Sequence, residues 1–457
     1  MKLAYAAIGV CCMATGCGNL HAQSHSGALT RSPEFVEPLP AAVSVSPEMT
    51  WLREIVLQVL MRQPELAQAM AENRYAMARL REVKAGVLPQ VSLSSSVGQE
   101  NQQLVTQNRT NRYADQYSLQ LRLNQPLLDS AIVARTRQAK AQVWSSDWSL
   151  VAIQEQTMLR TVELYAELVR QSRLTELARD NLRLHRQYVA QVKEIARLDL
   201  GRASDLPVAE SRVALAESVL TGRLSRLDAA RVQWRNHSTL PSPDEGVHVA
   251  LSSALRDLPQ VDFPTSMDAA IQDALEVHPQ LQKALADLRT AYAGMEVASA
   301  ASDPRVVAEI SNRNANNYGG VFGEQRTWFA GVSLQWSLSA VDRASRRTAS
   351  EATRVAQETV DVQVFRVRSA VETQWFELQA ALASLTSYRK YAKQAESVAA
   401  SYAEQFRIGR RSLLDVLNAE NELFTARSNA MTTTMDVQVA AWRLLALRGL
   451  LAEELGL

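Results

Sequence analysis

The residue types that do covalent or metal chemistry gather nowhere in this 457-residue chain. The six histidines, His21, His25, His185, His237, His248 and His278, are scattered and form no ligand set. No nucleophile is placed beside a base, and Gly319-Gly320 sits in a polar loop without the lysine and following helix of a phosphate loop. All three cysteines, Cys11, Cys12 and Cys17, fall near the N-terminus, so the body of the chain can form no disulfide and no thiolate metal site. No catalytic residue, metal or cofactor is implied. What chemistry there is belongs to charge at a helix start. In FRIGRRSLLDVLNAEN, Phe406 to Asn421, Gly409 stops an incoming helix, because a left-handed cap is least costly for glycine. Ser412 is placed to cap the outgoing helix, and Asp415 stands near its positive end. A spacing of three puts Asp415 and Asn418 on one face, with Leu413, Leu417 and Phe424 on another. A second motif, LGRASDLPVAESR from Leu200 to Arg212, repeats the design with Gly201 as the stop and Ser204 as the cap. Asp205 lies closer to its glycine than Asp415 does and is followed by Pro207, which suits it to capping better than to any other task.

These motifs end two runs that contain neither glycine nor proline, Leu127 to Leu200 and Val332 to Ile408. An uninterrupted helix of that length would reach roughly 100 Å at ~1.5 Å per residue, several times the width of a small domain. The runs are copies within an internal duplication of about 210 to 215 residues. Each copy opens with an amphipathic segment, Trp51 onward or Met267 onward, that meets a proline at Gln63-Pro64 or His278-Pro279. An alanine-rich helix then runs to Leu88-Pro89 or Asp303-Pro304, where proline is expected to end it.

After each proline the apolar period changes to two. Tyr117, Leu119, Leu121 and Leu123 alternate with Ser118, Gln120, Arg122 and Asn124. Ala330, Val332, Leu334, Trp336 and Leu338 alternate with Gly331, Ser333, Gln335 and Ser337. Val91, Leu93 and Val97 and then Val306, Ala308 and Ile310 start the partner strands, joined through the wet loops Gln99 to Gln116 and Asn312 to Arg326. Alternation over about nine to eleven residues suits a tilted strand that crosses a membrane. A soluble β-layer packed on helices would show the same alternation. If the strands enter lipid, one chain's four cannot close a barrel, and several chains must share one.

The expected organisation is an export signal at 1–17, a Ser/Pro-rich tether at 18–47, and a first repeat at 48–235 with its β-hairpin at about 91–125 and long helices at about 127–235. A linker at 236–265 leads to a second repeat at 266–450, with β-hairpin at about 305–338 and helices at about 339–448, and a tail at 451–457. Lys2 followed by an apolar stretch to about Ala14 reads as the signal. Ala14-Thr15-Gly16-Cys17 resembles the lipobox of bacterial lipoproteins, which would make Cys17 an acylated first residue; cleavage further on, for instance after Ala22, is the alternative. With 48 Asp plus Glu against 49 Lys plus Arg, the chain lacks the basic excess that a nucleic-acid partner requires.

Two repeats, each with a strand hairpin and a long helical hairpin, the Gln-Pro and His-Pro segments and the Gly409 to Glu420 turn together resemble the TolC family of outer-membrane export channels. That resemblance implies a mainly α fold with a small β part. It implies a homotrimer whose twelve strands form one barrel in outer-membrane lipid, continuous with a periplasmic helical barrel. The implied partners are a periplasmic adaptor, or membrane fusion protein, and an inner-membrane pump that is ABC-type or proton-driven. Asp415 then falls on a periplasmic gate aspartate and Arg411 on the basic residue that restrains the closed end, while Asn418 stands where some relatives carry a second aspartate. The string Ile408 to Phe424 is most similar to members that serve type I secretion of adhesin-like proteins, whereas the lipobox and tether look more like drug-efflux members. A lipid-anchored periplasmic coiled-coil adaptor is the alternative of a different class, and membrane-length strands in both repeats disfavour it.

Overall fold

The computed structural model describes residues 47–102, 112–198, 204–241, 264, 266–318 and 323–457. The signal, Cys17, nearly all of the tether, Gly201 and most of the linker lie outside the described residues.

Most of each glycine- and proline-free run forms a single helix, although the runs begin within the ends of β-strands, at Leu127–Leu128 and Val332–Gln335. Helix α3 covers Ser130–Leu198 and helix α7 covers Ala340–Arg407. At 69 and 68 residues each is about 100 Å long. Side chains fix where they begin. Asp129 Oδ1 accepts from the backbone N–H groups of Ala131 and Ile132 at 2.9 and 3.2 Å. Ser339 and Asp342 form a reciprocal capping box at the start of α7.

Shorter helices fill in beside them. In the first repeat α1 (Pro47–Arg62) and α2 (Pro64–Ala85) precede the strands, and α4 (Asp205–Ser238) follows α3. In the second, α5 (Met267–Val277) and α6 (Pro279–Ala300) precede the strands, and α8 (Leu413–Leu447) and α9 (Leu451–Glu454) follow α7. Pro64 and Pro279 are first helical residues, where the missing N–H costs nothing. The prolines at 89 and 304 act at a distance: α2 and α6 stop at Ala85 and Ala300, and a short turn separates each end from its proline. Pro207 is tolerated in the first turn of α4, and Gly222 lies inside that helix.

Helix α3 packs against α2 and α6 and also against α4 and α8, while α7 packs against α6 and α8. Because α2 and α6 end at the strands and α4 and α8 begin at the far tips, each rod takes one set of neighbours along each half. The central seam is the best-filled region. There Val56 and Val59 of α1, Val162 and Tyr165 of α3, Trp234 of α4 and Trp442 of α8 share one core. The Tyr165 and Trp234 rings meet edge to face at 5.8 Å. Leu451 and Leu455, beyond the second repeat, are buried in the same core, so the C-terminal segment packs as a plug.

The four strands form one antiparallel sheet in chain order: β1 (Gln90–Gln102), β2 (Arg112–Leu128), β3 (Arg305–Asn316) and β4 (Glu324–Gln335). A register shift between Pro126 and Leu128 bends β2 at its helix-proximal end. The alternation through Leu338 extends past the strand itself, since β4 ends at Gln335 and an extended segment leads to Ser339. The Trp336 indole N–H donates to the Ser302 carbonyl at 3.0 Å and leaves the ladder.

Candidate transmembrane sheet and periplasmic gate

Register assigns each side chain of the sheet to a face. Leu93 pairs with Leu121, Leu123 with Ile310, and Ile310 with Ala330, so Val91, Leu93, Val97, Tyr117, Leu119, Leu121, Ile310, Val332 and Leu334 share one face. No described element covers it, and Val97 is 85% exposed. The other face carries Ser92, Ser94, Ser96, Gln120, Arg122, Glu309, Ser311 and Arg313. There Arg122 and Glu309 form an ion pair at 3.0 Å, and Arg313 donates to Gln120 Oε1 at 3.3 Å. Among the described residues no helix is long and apolar enough to cross a membrane. A sheet with one greasy face, one wet face and two unpaired edges is one arc of a barrel wall.

At the opposite end of the rods the Gly409 turn has the geometry its spacing predicts. Gly409 has φ +74°, its N–H donates to the Phe406 carbonyl, and the Arg410 N–H donates to the Gln405 carbonyl, both at 2.9 Å. This pair of bonds is the glycine-centred helix stop called a Schellman motif. Ser412 caps α8 by accepting from the Asp415 N–H at 3.2 Å. Ser204 differs from its expected role: its backbone is already helical and its side chain makes no cap bond. Pro207 explains the difference, since a capping serine reaches for the N–H two or three residues on and proline at 207 has none. Asp205 is the first residue of α4, in the turn where a carboxylate opposes the helix dipole.

The residues proposed from sequence at the tip lie within reach of one another. The Arg411 guanidinium stands 3.8 Å from the Asp415 carboxylate and 3.9 Å over the Tyr402 ring, so one cation bridges the end of α7 and the start of α8. Both side chains of the pair are partly open to solvent. Asn418 accepts from Arg212 of α4 at 3.0 Å, which ties the two helical hairpins together. Leu413 and Leu417 are buried on the other face of α8 beside Phe406 and Tyr188.

Sequence reasoning missed a buried link just above the tip. The Tyr188 hydroxyl of α3 donates to Glu420 Oε1 of α8 at 3.1 Å. Burial pushes the Glu420 carboxyl up from its ordinary range, and the tyrosine bond and Arg427 oppose that shift. His185, one turn back, is held neutral by burial and by Arg212. Tyr188 and Glu420 both sit inside long helices, where no punctuation marks them; only their mutual approach in space makes them a pair.

An open, two-faced sheet joined through about 100 Å of paired helices to a charged tip defines a subunit of a membrane-spanning duct. The sequence profile of the family described as "Outer membrane efflux protein" matches residues 55–233 and 270–450, one match per repeat, and the chain belongs to that family. It is 26% identical over 346 residues to the outer membrane efflux protein BepC of Brucella suis biovar 1, covering 74% of this chain and 73% of that one. To the outer membrane protein TolC of Vibrio cholerae serotype O1 it is 22% identical over 441 residues, covering 92% and 96%. Among solved structures, the outer-membrane channel OprN superposes with a TM-score of 0.73 at 20% identity, over 96% of this chain and 98% of that one. The protein is therefore an outer-membrane efflux channel whose helices extend into the periplasm, and the family works with a periplasmic adaptor and an inner-membrane pump.

Proposed function

We propose that three copies of this chain close one twelve-stranded barrel and one twelve-helix tube, a passive conduit recruited by an adaptor and an inner-membrane pump for type I export of adhesin-like protein. The observation that carries the reading is the open sheet with a bare apolar face, which in lipid requires further copies at both edges. A seam for those copies runs along α7, where Val341, Val355, Val362 and Phe376 recur at multiples of seven and stand exposed. The far side of the protomer offers Met70, Tyr75 and Met77 on α2 and Leu215 and Val232 on α4, also exposed.

At the tip, Asp415 from each copy forms a cation-favouring ring, Arg411 restrains the closed state, and Asn418 replaces a second carboxylate with a neutral Arg212 contact. Gly201 and Gly409 turn the two hairpins, and Asp205 serves its helix start. Ahead of the first repeat, the segment 1–17 is an export signal, Cys17 is acylated, and 18–47 tethers the anchor to the duct. Type I cargo rests on the similarity of the Ile408 to Phe424 string to secretion members. Small-molecule efflux is the second reading, favoured by the relative whose name is outer membrane efflux protein.

Deleting the gene and comparing surface and secreted proteins with the parent tests the cargo. Loss of one or a few large secreted proteins is the expected result. An unchanged set together with new drug or dye sensitivity would replace protein export by small-molecule efflux. Single-channel conductance of Asp415→Ala tests the ring: a larger conductance with weaker cation preference is expected, and unaltered values would remove Asp415 from the gate.

A further inference from the structure

Partway along the rods, the N-terminal end of α6 and the C-terminal end of α8 both border a space between α3 and α7. A cavity of about 730 Å³ is left there. Carbon dominates one part of its wall, with Ala152 and Leu159 of α3, Ala370 of α7 and Ala446 and Leu447 of α8. Set in that wall is the carboxyl group of Glu155, whose Oε2 is sealed from solvent and has no hydrogen-bond partner. Nothing at the tip or in the sheet uses this group.

The neighbouring charges leave it uncompensated. Arg443 of α8 is held by Glu163 of α3 at 2.7 Å. Glu377 of α7 accepts from Gln374 at 2.8 Å. His278, at the start of α6, uses Nδ1 to accept from the Gln280 N–H at 3.2 Å, and burial holds its ring neutral. Arg366 of α7 lines the cavity with its side chain exposed, where water solvates it. A largely desolvated carboxylate with one oxygen sealed and unpartnered gains more from an arriving cation than a hydrated guanidinium gains from an anion.

Metal ions are poor candidates. A divalent cation needs several oxygen ligands at about 2.0 to 2.6 Å, and among the described residues no group of three His, Cys, Asp or Glu side chains is placed to hold one. The volume instead falls within the ~300 to 1,000 Å³ typical of drug-sized ligands, and the wall offers apolar contact for an organic body.

The cavity also faces a useful direction. Helix α5 covers α7 through Val367, Val371 and Leu378. Ala370, Thr373 and Glu377 lie roughly 100 to 160° around the helix from Val371, at ~100° per residue. Twelve helices spaced ~10 Å apart make a ring about 38 Å across, too narrow for accessory helices inside as well as a passage. With α5 outside, the cavity opens toward the lumen; this orientation rests on the trimeric tube proposed above.

We propose that this cavity is a lumenal binding site for drug-sized organic cations, with the Glu155 carboxylate as counter-ion. Three such sites would ring the duct at mid-height. Burial raises the Glu155 pKa to about 7, so the free site is largely protonated below neutrality and cation binding competes with the proton.

Tetraphenylphosphonium and tetraphenylborate, equal in shape and opposite in charge, serve as probes in equilibrium dialysis against the full-length protein in lipid nanodiscs, with empty nanodiscs subtracted. The cation is expected to bind at least tenfold more tightly at pH 8 than at pH 5.5, and Glu155→Gln to weaken binding at pH 8 at least tenfold. Any tetraphenylborate binding should not be weakened by that change, because the carboxylate repels an anion. Phosphonium binding that is absent, independent of pH, or unaltered in Glu155→Gln would overturn the proposal. Conductance of the same Glu155→Gln protein in planar bilayers reads the channel separately: a normal pore without a cation site refutes only the site, and a missing pore refutes the duct.

Discussion

Two desolvated carboxyl groups differ in what offsets their burial, a hydroxyl and Arg427 at Glu420 and nothing comparable at Glu155. Glu420 has the Tyr188 O–H, whereas Glu155 Oε2 has no partner. For Glu155 the sign of linkage follows from burial. Its folded pKa of about 7 lies above the ordinary carboxyl value of 4.5, so between those values the folded chain holds more protons than the unfolded one and stability falls as pH rises. Glu155→Gln should therefore leave the melting temperature almost unchanged at pH 4.5 and raise it increasingly up to about pH 7, by at most ~3 kcal/mol of stability. Thermal unfolding followed by circular dichroism at several pH values would show this, and equal melting curves at pH 8 would mean that the carboxylate is solvated. Tyr188→Phe should act in the opposite direction. Loss of a hydrogen bond to a buried charged group costs roughly 1.5 to 3 kcal/mol, and the Glu420 carboxyl should move further up in pKa. Hydrogen exchange confined to faster opening near 188 and 420 is the expected reading.

At the scale of elements, legibility followed punctuation. Both long helices were readable because glycine and proline are absent from them and present just outside. The Gly409 turn was readable because glycine, serine and an acidic residue stand at capping intervals, and its bonds form as that spacing demands. Ser204 was misread because the same letters were present while Pro207 removed the N–H that a capping oxygen would take. Pairings across helices, such as Tyr188 with Glu420 or Arg212 with Asn418, could not be read at all. Residues more than two hundred positions apart meet only through the packing of the hairpins, and a helical period shows which face is buried without naming the neighbour. Gly409, with φ +74°, and Gly331, whose Cβ space a neighbouring ring occupies, separate strain from crowding. A Cβ at Gly409 would meet nothing within 4 Å, so Gly409→Ala should cost only the left-handed backbone term of about 1 kcal/mol. A Cβ at Gly331 would come within 2.8 Å of the outer end of the half-exposed Phe329 ring, which can swing aside at little cost. Gly409→Ala should therefore lower the melting temperature more than Gly331→Ala, and a larger loss at Gly331 would contradict that order.

For the whole molecule the governing fact is that one chain is an incomplete object. Its apolar sheet face has lipid as the natural solvent, but the two sheet edges do not, because an unpaired N–H or C=O in hydrocarbon costs several kcal/mol. The helical part poses the same problem in water through the exposed α7 seam of Val355, Val362 and Phe376. In the proposed trimer both deficits are repaired by one operation, rotation of identical copies about a common axis, which would pair β1 with a neighbour's β4 and cover α7 with a neighbour's α2 and α4. A charge placed on the seam should then be felt three times in one assembly. Val362→Asp buries a carboxylate at every contact and should cost a few kcal/mol per interface, enough to convert a detergent-stable trimer into monomers with little change in helix content. Light scattering after size exclusion gives the mass and circular dichroism gives the helix content. A trimer of undiminished stability in that variant would move the interface off α7, and with it the assignment of which rod faces turn toward the passage.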